Sequence, residues 1–274
     1  MLLRDSAGEL ARRLGARQYA ASSAEIPGSA NVRQRIVFCW SGGKDSALAL
    51  NRLLGDERYE VVALLTTCNE HYQRVSMHGV RLELLDAQAR ALSLPLEKIF
   101  VSERSSNEEY SQKMANCLGL YKARGVSGCA FGDIFLEDLR LWREQNLAQL
   151  GLTGVFPIWK VDSHALLREF FEQGFGSVIC CVNDAWLDES AVGRCLDESF
   201  VRSLPAEVDP CGENGEFHSF AFAGPIFREP VRYRLGEKVY RPLEPAQPGS
   251  GATVCPAEQR PTRGFWFCDL LPSE

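Results

Sequence analysis

The sequence lacks several features that mark common functional classes. No run of apolar residues approaches the ~18 needed for a membrane-spanning helix, so we expect no membrane partner. Acidic residues outnumber basic ones, and the net charge of −6 disfavours nucleic acid as a partner. The ten cysteines include no Cys-x-x-Cys pair, so we expect reduced thiols rather than a zinc site or a disulfide framework.

The first residues lack a targeting signal as well. They contain no apolar secretory core, and Asp5 and Glu9 are untypical of an organellar transit peptide, so we expect a cytoplasmic protein. We interpret residues 1–34 as a polar N-terminal extension. The remaining length is enough for one large domain or two small ones, and a hydrophobic content of 45% is ordinary for a globular protein.

What the sequence does contain is a strand, a glycine turn and a helix in immediate succession. The apolar run Ile36–Trp40 predicts a buried strand, and Lys44–Leu54 has the spacing of an amphipathic helix. Between them, Gly42 and Gly43 permit close approach of a ligand. Unpaired N–H groups and the positive end of the helix dipole would face that ligand, so this stretch predicts an anion site.

The motif inside this stretch, Ser41–Ser46 with the sequence SGGKDS, is not a Walker A loop. A Walker A loop has Gly where Phe38 stands and Ser or Thr where Asp45 stands. SGGKDS resembles the PP-loop of ATP pyrophosphatases, which cleave ATP between its α- and β-phosphates. The resemblance implies that ATP binds here.

Further strands and helices follow at spacings of roughly 25 to 35 residues, the β-α pattern of a doubly wound parallel sheet. We predict strands at Tyr59–Thr66, Leu96–Val101, Ser127–Phe131 and Gly154–Ile158, and helices at Gly79–Leu92, Asn107–Arg124 and Leu136–Leu150. Ligands bind at the carboxyl ends of the strands in such sheets. Three loops should therefore converge on one crevice: Ser41–Ser46, Thr66–His78 and Gly132–Asp133.

The character of the chain changes near Pro157. We predict a helix at Ser163–Gln173, a strand at Gly176–Val182, one or two short helices within Glu189–Leu204, and antiparallel strands at Val231–Val239 and Gly264–Leu270, which flank a loop at Arg241–Arg263. The fold prediction is an α/β protein. A doubly wound, Rossmann-like sheet of the adenine nucleotide α-hydrolase type forms a PP-loop domain at 35–156, and a smaller α+β substrate domain follows at 157–274.

Four motifs in this order carry a more specific resemblance. SGGKDS, VSMHGVRLELLDAQARALSLPLEKI, FGDI and DPCGENGEFHSF occur within residues 35–270. They resemble the diphthine–ammonia ligases, which are N-type PP-loop ATP pyrophosphatases, and GENGE with the following aromatic residue and His is the most specific part. The residue that follows this His is Ser219, where the family usually has Thr. The resemblance implies ATP-dependent amidation, in which a carboxylate is adenylated, pyrophosphate leaves, and ammonia displaces AMP.

The resemblance also implies roles for the first motif. Attack on the α-phosphorus requires the β- and γ-phosphates to be held and neutralised. The residues assigned to ATP binding here are Ser41, Gly42, Gly43, Lys44 and Ser46. Lys44 and Asp45 are also catalytic candidates, and Asp45 is assigned to Mg²⁺ or to holding the loop, with helix capping as the alternative.

Residues at the ends of the second and fourth strands complete the predicted nucleotide site. Thr66 lies where the superfamily reads adenine and ribose, and His78 is either a phosphate or substrate contact or a structural loop histidine. Gly132 would allow the nucleotide to approach closely. Asp133 is a catalytic candidate that ligates Mg²⁺ or steers the amine, with a plain turn as the alternative.

The last motif concentrates polar side chains in a short segment. A turn at Asn214-Gly215 would direct the carboxylates of Glu213 and Glu216 into one cavity. Together with His218, these catalytic candidates suit recognition of ammonium or another cation and its deprotonation. The alternative is a salt-bridged hairpin that only holds the second domain. Cys211 is not expected to be a nucleophile, because amidation requires none.

The resulting prediction is an enzyme, an AMP-forming carbon–nitrogen ligase that uses ATP, Mg²⁺ and free ammonium. Its carboxylate acceptor is diphthine on elongation factor 2, the family substrate, or a small molecule. The alternatives are a PP-loop pyrophosphatase that acts on another carboxylate or on a tRNA, and a non-catalytic ATP or AMP sensor. Whether the chain is a monomer or a homodimer stays open.

Overall fold

Two sheets organise the computed structural model, which describes residues 32–103, 105–243 and 262–273. The first sheet contains β1 (Gln34–Cys39), β2 (Tyr59–Asn69), β3 (Arg74–Val75), β4 (Leu96–Val101), β5 (Gly128–Ala130) and β6 (Thr153–Val155), with helices α1 (Lys44–Leu54), α2 (Leu82–Leu92), α3 (Asn107–Ala123) and α4 (Glu137–Gln149). Strand β1 lies between β2 and β5, β4 pairs with the other side of β2, and β6 pairs with β5, all in parallel. Only the two-residue β3 is antiparallel, at the end of β2. The predicted α/β class is confirmed.

The central strand β1 is buried on both faces. Ile36 and Phe38 belong to the core that contains α1 and α2, whereas Val37 belongs to the core of α3 and α4. Helix α1 then begins at Lys44, with Gly43 in an extended conformation as its N-cap, and glycine has no side chain that could accept an N–H of the first turn. The first N–H groups of the helix therefore depend on other residues for acceptors.

The second sheet is smaller and antiparallel. Its strands β7 (Gly176–Asn183), β8 (Phe217–Ala223), β9 (Tyr233–Pro242) and β10 (Gly264–Pro272) lie in the order β8-β7-β10-β9, and α5 (Ser163–Glu172) and α6 (Glu198–Ser203) accompany it. The predicted antiparallel pairing of the last two strands is confirmed. Strand β10 lies between β7 and β9, which leaves β8 at an edge.

The helix expected at Gly79–Leu92 begins only at Leu82. The backbone of Met77 and of Gly79 is left-handed, with φ of 64° and 69°, so the chain turns here before a helix can start. Arg81 also forms an isolated antiparallel bridge with a residue of β3. A tight turn therefore takes the place of the first predicted helical turn.

Two further boundaries differ for local reasons. The second strand continues past Thr66 to Asn69, because its end pairs with both β3 and β4. Within Glu189–Leu204 only Glu198–Ser203 is helical. The residues before it run beside β7, and the Asp197 carboxylate then caps the helix by accepting a backbone N–H at 2.8 Å.

All of these elements belong to one compact unit. The predicted extension falls at residues 1–31 outside the described residues, as does most of the predicted loop at 241–263, and β1 already begins at Gln34. The division into domains at 156/157 stays a prediction. No helix in the described ranges combines the length and the apolar content needed to cross a bilayer.

Candidate active site

The two sheets meet at the glycine loop, residues Ser41–Ser46. Strand β8 is an edge strand of the second sheet, and the backbone N–H of Ala221 in this strand donates to the carbonyl oxygen of Gly42 at 2.8 Å. The loop thus covers a strand edge that would otherwise present unpaired backbone groups. Its position depends on both halves of the chain.

Gln88 of α2 fixes the glycine loop to β8. The side chain is fully buried, and its Nε2 donates to the carbonyl oxygens of Gly42 at 2.9 Å and Ala221 at 2.7 Å. Its Oε1 accepts from the indole N–H of Trp40 at 3.0 Å, so the whole amide is paired, as a buried amide requires. Gln88 was not among the predicted site residues. Its signal in the sequence is a polar residue at helical spacing within the apolar stripe of α2.

Hydroxyl groups accept the backbone N–H groups at the start of α1. The N–H of Gly43 donates to Ser41 Oγ at 3.3 Å, and the N–H of Lys44 donates to Ser219 Oγ at 3.2 Å. The hydroxyl of Ser46 lies 2.9 Å from that of Ser41. A hydroxyl that accepts one hydrogen bond can donate another, so this ring of groups can bind phosphate oxygens. Ser219 was not predicted as a site residue.

The side chain of Lys44 points toward the second half of the chain. It is buried, and its Nζ donates to the two carboxylate oxygens of Asp45 at 2.8 and 2.6 Å and to the carbonyl oxygen of Cys211. The Nζ atom also lies 5.4 Å from the centre of the Phe217 ring. Burial disfavours the charged form, but the neighbouring acidic groups, with Asp45 foremost, together outweigh this effect and raise the pKa of Lys44. Lys44 is therefore a charged link between the two halves.

The signature loop, residues Asp209–Glu216, is held by two of its own carboxylates. Asp209 Oδ2 accepts the N–H groups of Cys211 at 3.1 Å and Glu213 at 3.0 Å. Glu216 Oε1 accepts the N–H of Asp209 at 3.0 Å and the side-chain amide of Asn214 at 3.1 Å. Glu216 is almost fully buried, so its carboxylate holds the loop from inside.

Glu213 reaches out of this loop to the segment that follows β5. Its Oε1 accepts the backbone N–H of Ile134 at 2.7 Å and that of Phe135 at 3.4 Å. Glu213 and Glu216 thus bond to different segments. Burial, reinforced by the negative charge of Asp45, raises the pKa of Glu213 to about 8. A carboxyl group that titrates near neutral pH is suited to proton transfer.

Gly132 and Asp133 lie beside the start of α1. A Cβ atom on Gly132 would lie 3.0 Å from the amide nitrogen of Ser46 and 3.1 Å from the carbonyl oxygen of Asp45, so glycine here admits the backbone of α1. The carboxylate of Asp133 is paired with Arg143. Its Oδ2 lies 2.7 Å from Nε, and Nη2 donates to Oδ1 at 3.2 Å. Nothing in the sequence around Arg143 indicates that it pairs with Asp133.

The two carboxylates predicted to ligate Mg²⁺ are each paired with a cation, Asp45 with Lys44 and Asp133 with Arg143. In the part of the chain that the structure describes, no group of three or more His, Cys, Asp or Glu side chains is arranged to hold a metal ion. The protein donors therefore do not form a metal site by themselves. Mg²⁺ in nucleotide enzymes is bound largely by phosphate oxygens and water.

Two further predicted site residues lie beside the glycine loop. Thr66 Oγ1 donates to the carbonyl oxygen of Trp40 at 2.6 Å and so fixes the end of β1. The Nε2 atom of His78 lies 3.1 Å from the position that a Cβ on Gly43 would occupy. His218 of β8 lies next to His78, with ring centroids 4.7 Å apart. The structure thus brings both histidines to one side of the loop.

The thiol of Cys211 is buried and donates to the carbonyl oxygen of Ser163 at 3.5 Å. Burial raises its pKa, so the thiol stays protonated at neutral pH and is a poor nucleophile. The contribution of Cys211 to the site is its carbonyl oxygen.

Comparison with known proteins places both loops in matched regions. The family model described as the diphthamide synthase N-terminal domain matches residues 34–154, and the model of the C-terminal domain matches residues 162–242. The diphthine–ammonia ligase of Rattus norvegicus is 25% identical over 232 residues, covering 75% of this chain and 85% of its own length. That of Homo sapiens is 25% identical over 224 residues, with coverages of 72% and 82%. That of Schizosaccharomyces pombe is 23% identical over 227 residues, with coverages of 73% and 37%.

Proposed function

The chain belongs to the diphthamide synthase family, and from this premise we propose that it is an ATP-dependent amide ligase. In the proposed reaction a carboxylate attacks the α-phosphorus of ATP and pyrophosphate leaves. Ammonia then attacks the acyl carbon, which forms the amide and releases AMP and a proton. Curated relatives are named diphthine–ammonia ligases, so the first acceptor that we propose is diphthine on elongation factor 2, with a small-molecule carboxylate as the alternative. The proposed setting is the cytoplasm.

The observation that carries this proposal is the contact between the glycine loop and the second half of the chain. Lys44 donates through its side chain to the signature loop and through its backbone to Ser219 of β8. The segment expected to hold the leaving phosphates and the segment most specific to the family therefore form one site. A ligase of this type needs that arrangement, because an acyl-adenylate must meet ammonia before water hydrolyses it.

The glycine loop is proposed to hold the pyrophosphate part of ATP. The ATP contacts in this proposal are Ser41, Gly42, Gly43, Lys44, Ser46, Thr66 and Gly132. In this proposal the phosphate oxygens accept hydrogen bonds from the serine hydroxyls, which the helix-start N–H groups hold in place. The ammonium of Lys44, held by Asp45, places positive charge where negative charge accumulates on the leaving group. Mg²⁺ remains a proposal and would accompany the phosphates.

The amidation step needs a proton acceptor, because ammonium must lose a proton before its nitrogen can attack. Glu213 is the best match among the candidates, since its pKa is raised to about 8 by burial. Burial lowers the pKa of His78 to about 4 and that of His218 well below its usual range, so neither ring would retain a proton taken from ammonium. We therefore assign proton transfer to Glu213, and positioning roles to Asp133 and Glu216.

The proposal is tested by measuring AMP and pyrophosphate formed from ATP with ammonium and Mg²⁺, in the presence of candidate acceptors that include diphthine-bearing elongation factor 2. AMP formation that depends on an acceptor supports the ligase. Lys44→Met should lower the rate by about 10²-fold or more, because the leaving group loses its cation. Lys113→Met removes a lysine paired with Glu109 on α3 and should leave the rate unchanged.

Two results would contradict the proposal. AMP formation that requires neither an acceptor nor ammonium would leave a pyrophosphatase without the amidation step. Tight ATP binding with no AMP under any condition would identify a nucleotide sensor instead.

A further inference from the structure

Two histidines beside the glycine loop have buried ring nitrogens that lack partners. Within the described residues, neither Nδ1 of His78 nor Nε2 of His218 has a hydrogen-bond partner. The rings lie 4.7 Å apart at an angle of 35°. His78 belongs to the turn after β3 and His218 to β8, so each half of the chain supplies one ring. Buried polar atoms without partners mark a place where a ligand supplies the missing contact.

The surroundings keep both rings uncharged. Burial and the positive charge of Lys44 lower the pKa of His78, against a hydrogen bond with the Ser76 backbone that raises it. Burial, His78 and Lys44 lower the pKa of His218. Lys44 faces the pair from α1, and its own charge is shared with Asp45. From β7, the thiol of Cys180 donates to the backbone carbonyl of His218. Among the groups that shift these pKa values there is no carboxylate, and burial and Lys44 outweigh the Ser76 backbone, which favours a charged ring at His78.

The pair lies next to the place where an anion would bind. The Nε2 atom of His78 approaches the Cα of Gly43, which is the N-cap of α1. Phosphate at this helix start would put several negative charges beside the rings. Because a nearby negative charge favours the charged form of an imidazole, such a ligand reverses the electrostatic balance at the pair.

We propose that His78 and His218 form a proton-linked contact for the pyrophosphate part of the nucleotide. As the polyanion enters the glycine loop, the pair takes one proton from solvent and donates hydrogen bonds to phosphate oxygens. The proton returns to solvent when pyrophosphate leaves. Only one proton is taken up, because two charged rings at this separation repel each other. This inference rests on the proposed function and adds that pyrophosphate binding and release are coupled to pH.

The test measures proton uptake when inorganic pyrophosphate binds the full chain. Titration calorimetry at about pH 6.5 in two buffers of different ionisation enthalpy gives the number of protons bound per ligand. Wild type should take up about one proton more than the variant His78→Gln/His218→Gln, because glutamine keeps an amide near the position of Nε2 but does not titrate. His164→Gln alters an exposed histidine of α5 and should match wild type.

Ring nitrogen NMR gives a second measurement, which follows the rings in the wild-type chain itself. The chain has four histidines, so the imidazole resonances can be assigned by comparing wild type with each single variant. Addition of pyrophosphate at about pH 6.5 should move the resonances of His78 and His218 toward the protonated state. The resonances of His71 and His164 should stay in place.

Equal proton uptake by wild type and the double variant would overturn the proposal, as would rings that stay neutral with pyrophosphate bound. Failure of folded wild type to bind pyrophosphate would overturn it too. These outcomes differ from failure of the ligase function, which is judged by AMP formation. A ligase that is active without proton uptake loses only the histidine proposal. Proton-linked pyrophosphate binding without AMP formation keeps the histidine proposal and discards amidation.

Discussion

The backbone N–H of Lys44 donates to the hydroxyl of Ser219 at 3.2 Å, although the two residues lie 175 positions apart in the sequence. The bond joins the first turn of α1 to the edge strand β8. A hydroxyl of the second sheet thus satisfies a backbone group of the glycine loop that the first sheet provides. The geometry of the glycine loop is therefore a property of both sheets.

Ser219→Ala should destabilise the protein by about 1–2 kcal/mol, because a buried N–H loses its acceptor. AMP formation should fall as well, since the loop loses one of its fixed points. Thermal unfolding and the AMP assay measure the two effects. Ser219→Thr keeps the hydroxyl and serves as the control. An alanine variant with unchanged unfolding temperature and rate would show that the bond has no role.

Gln88→Leu should destabilise the protein by about 2–3 kcal/mol, because three buried groups each lose a hydrogen bond at once. Urea unfolding measures this change in the free energy of unfolding. Gln112→Leu is the matched control, because Gln112 lies on the exposed face of α3 and donates to Asn116 one helical turn away. A similar, small effect of both substitutions would contradict a structural role for the buried amide.

Glu213→Gln should lower kcat by about 10²–10⁴-fold and remove the part of the pH–rate profile that lies near pH 8. Because the folded state raises the pKa of Glu213, it binds this proton more tightly than the unfolded state does. The stability of the wild type should therefore fall as the pH rises from the ordinary carboxyl range through about 8. Glu213→Gln should lack this fall, since the amide keeps the carbonyl acceptor for Ile134 and does not ionise. Rates and urea unfolding over the same pH series test both statements. A variant with the wild-type pH profile would exclude Glu213 as the proton acceptor.

Asp269→Asn should destabilise the protein at neutral pH by about 1 kcal/mol, because Asp269 of β10 pairs with both Arg74 and Arg81 around the turn that carries His78. Burial alone would raise the pKa of Asp269, but the two arginines outweigh it and lower the pKa to about 2. The contribution is therefore present above the ordinary carboxyl pKa and is lost as pH falls toward about 2.

Unfolding temperatures of wild type and Asp269→Asn should accordingly converge at acid pH. The control is Glu198→Gln, which breaks an exposed pair with Arg202 and should have little effect at any pH. A difference that persists unchanged down to about pH 2 would mean that the ion pairs are not its source.

Elements with strong local signals were predictable from the sequence. The bounds of α1 and β4 agree with the prediction. Apolar residues at unbroken helical spacing mark the extent of α1, and β4 is a short apolar segment that turn residues close. The α/β class followed from the alternation of strands and helices. The start of α2 was wrong, because a left-handed residue such as Met77 has no clear signature in sequence.

The partners of the site residues were not predictable, because they lie far away in the chain. The sequence around Asp133 does not indicate that Arg143 pairs with its carboxylate. Likewise, the sequence around Lys44 does not indicate that its ammonium donates to a carbonyl oxygen of the signature loop. Strand β10 likewise shows no local reason to pair between β7 and β9. Such contacts result from tertiary packing, so the residue types of the site were visible in the sequence while their roles were not.

The glycine loop covers the free edge of β8, and this limits how the protein can be divided. A fragment expressed from residue 157 onward would leave the N–H and C=O groups of Ala221 on β8 without their partners Gly42 and Gln88, and unpaired edge groups of this kind recruit strands of other molecules and cause aggregation. The remaining fragment would leave Gln88 buried without its β8 acceptor and Lys44 without its hydroxyl partner. We therefore expect neither half to be both soluble and active by itself. A chimera that exchanges one half must also exchange the residues of the other half that contact β8 or the glycine loop.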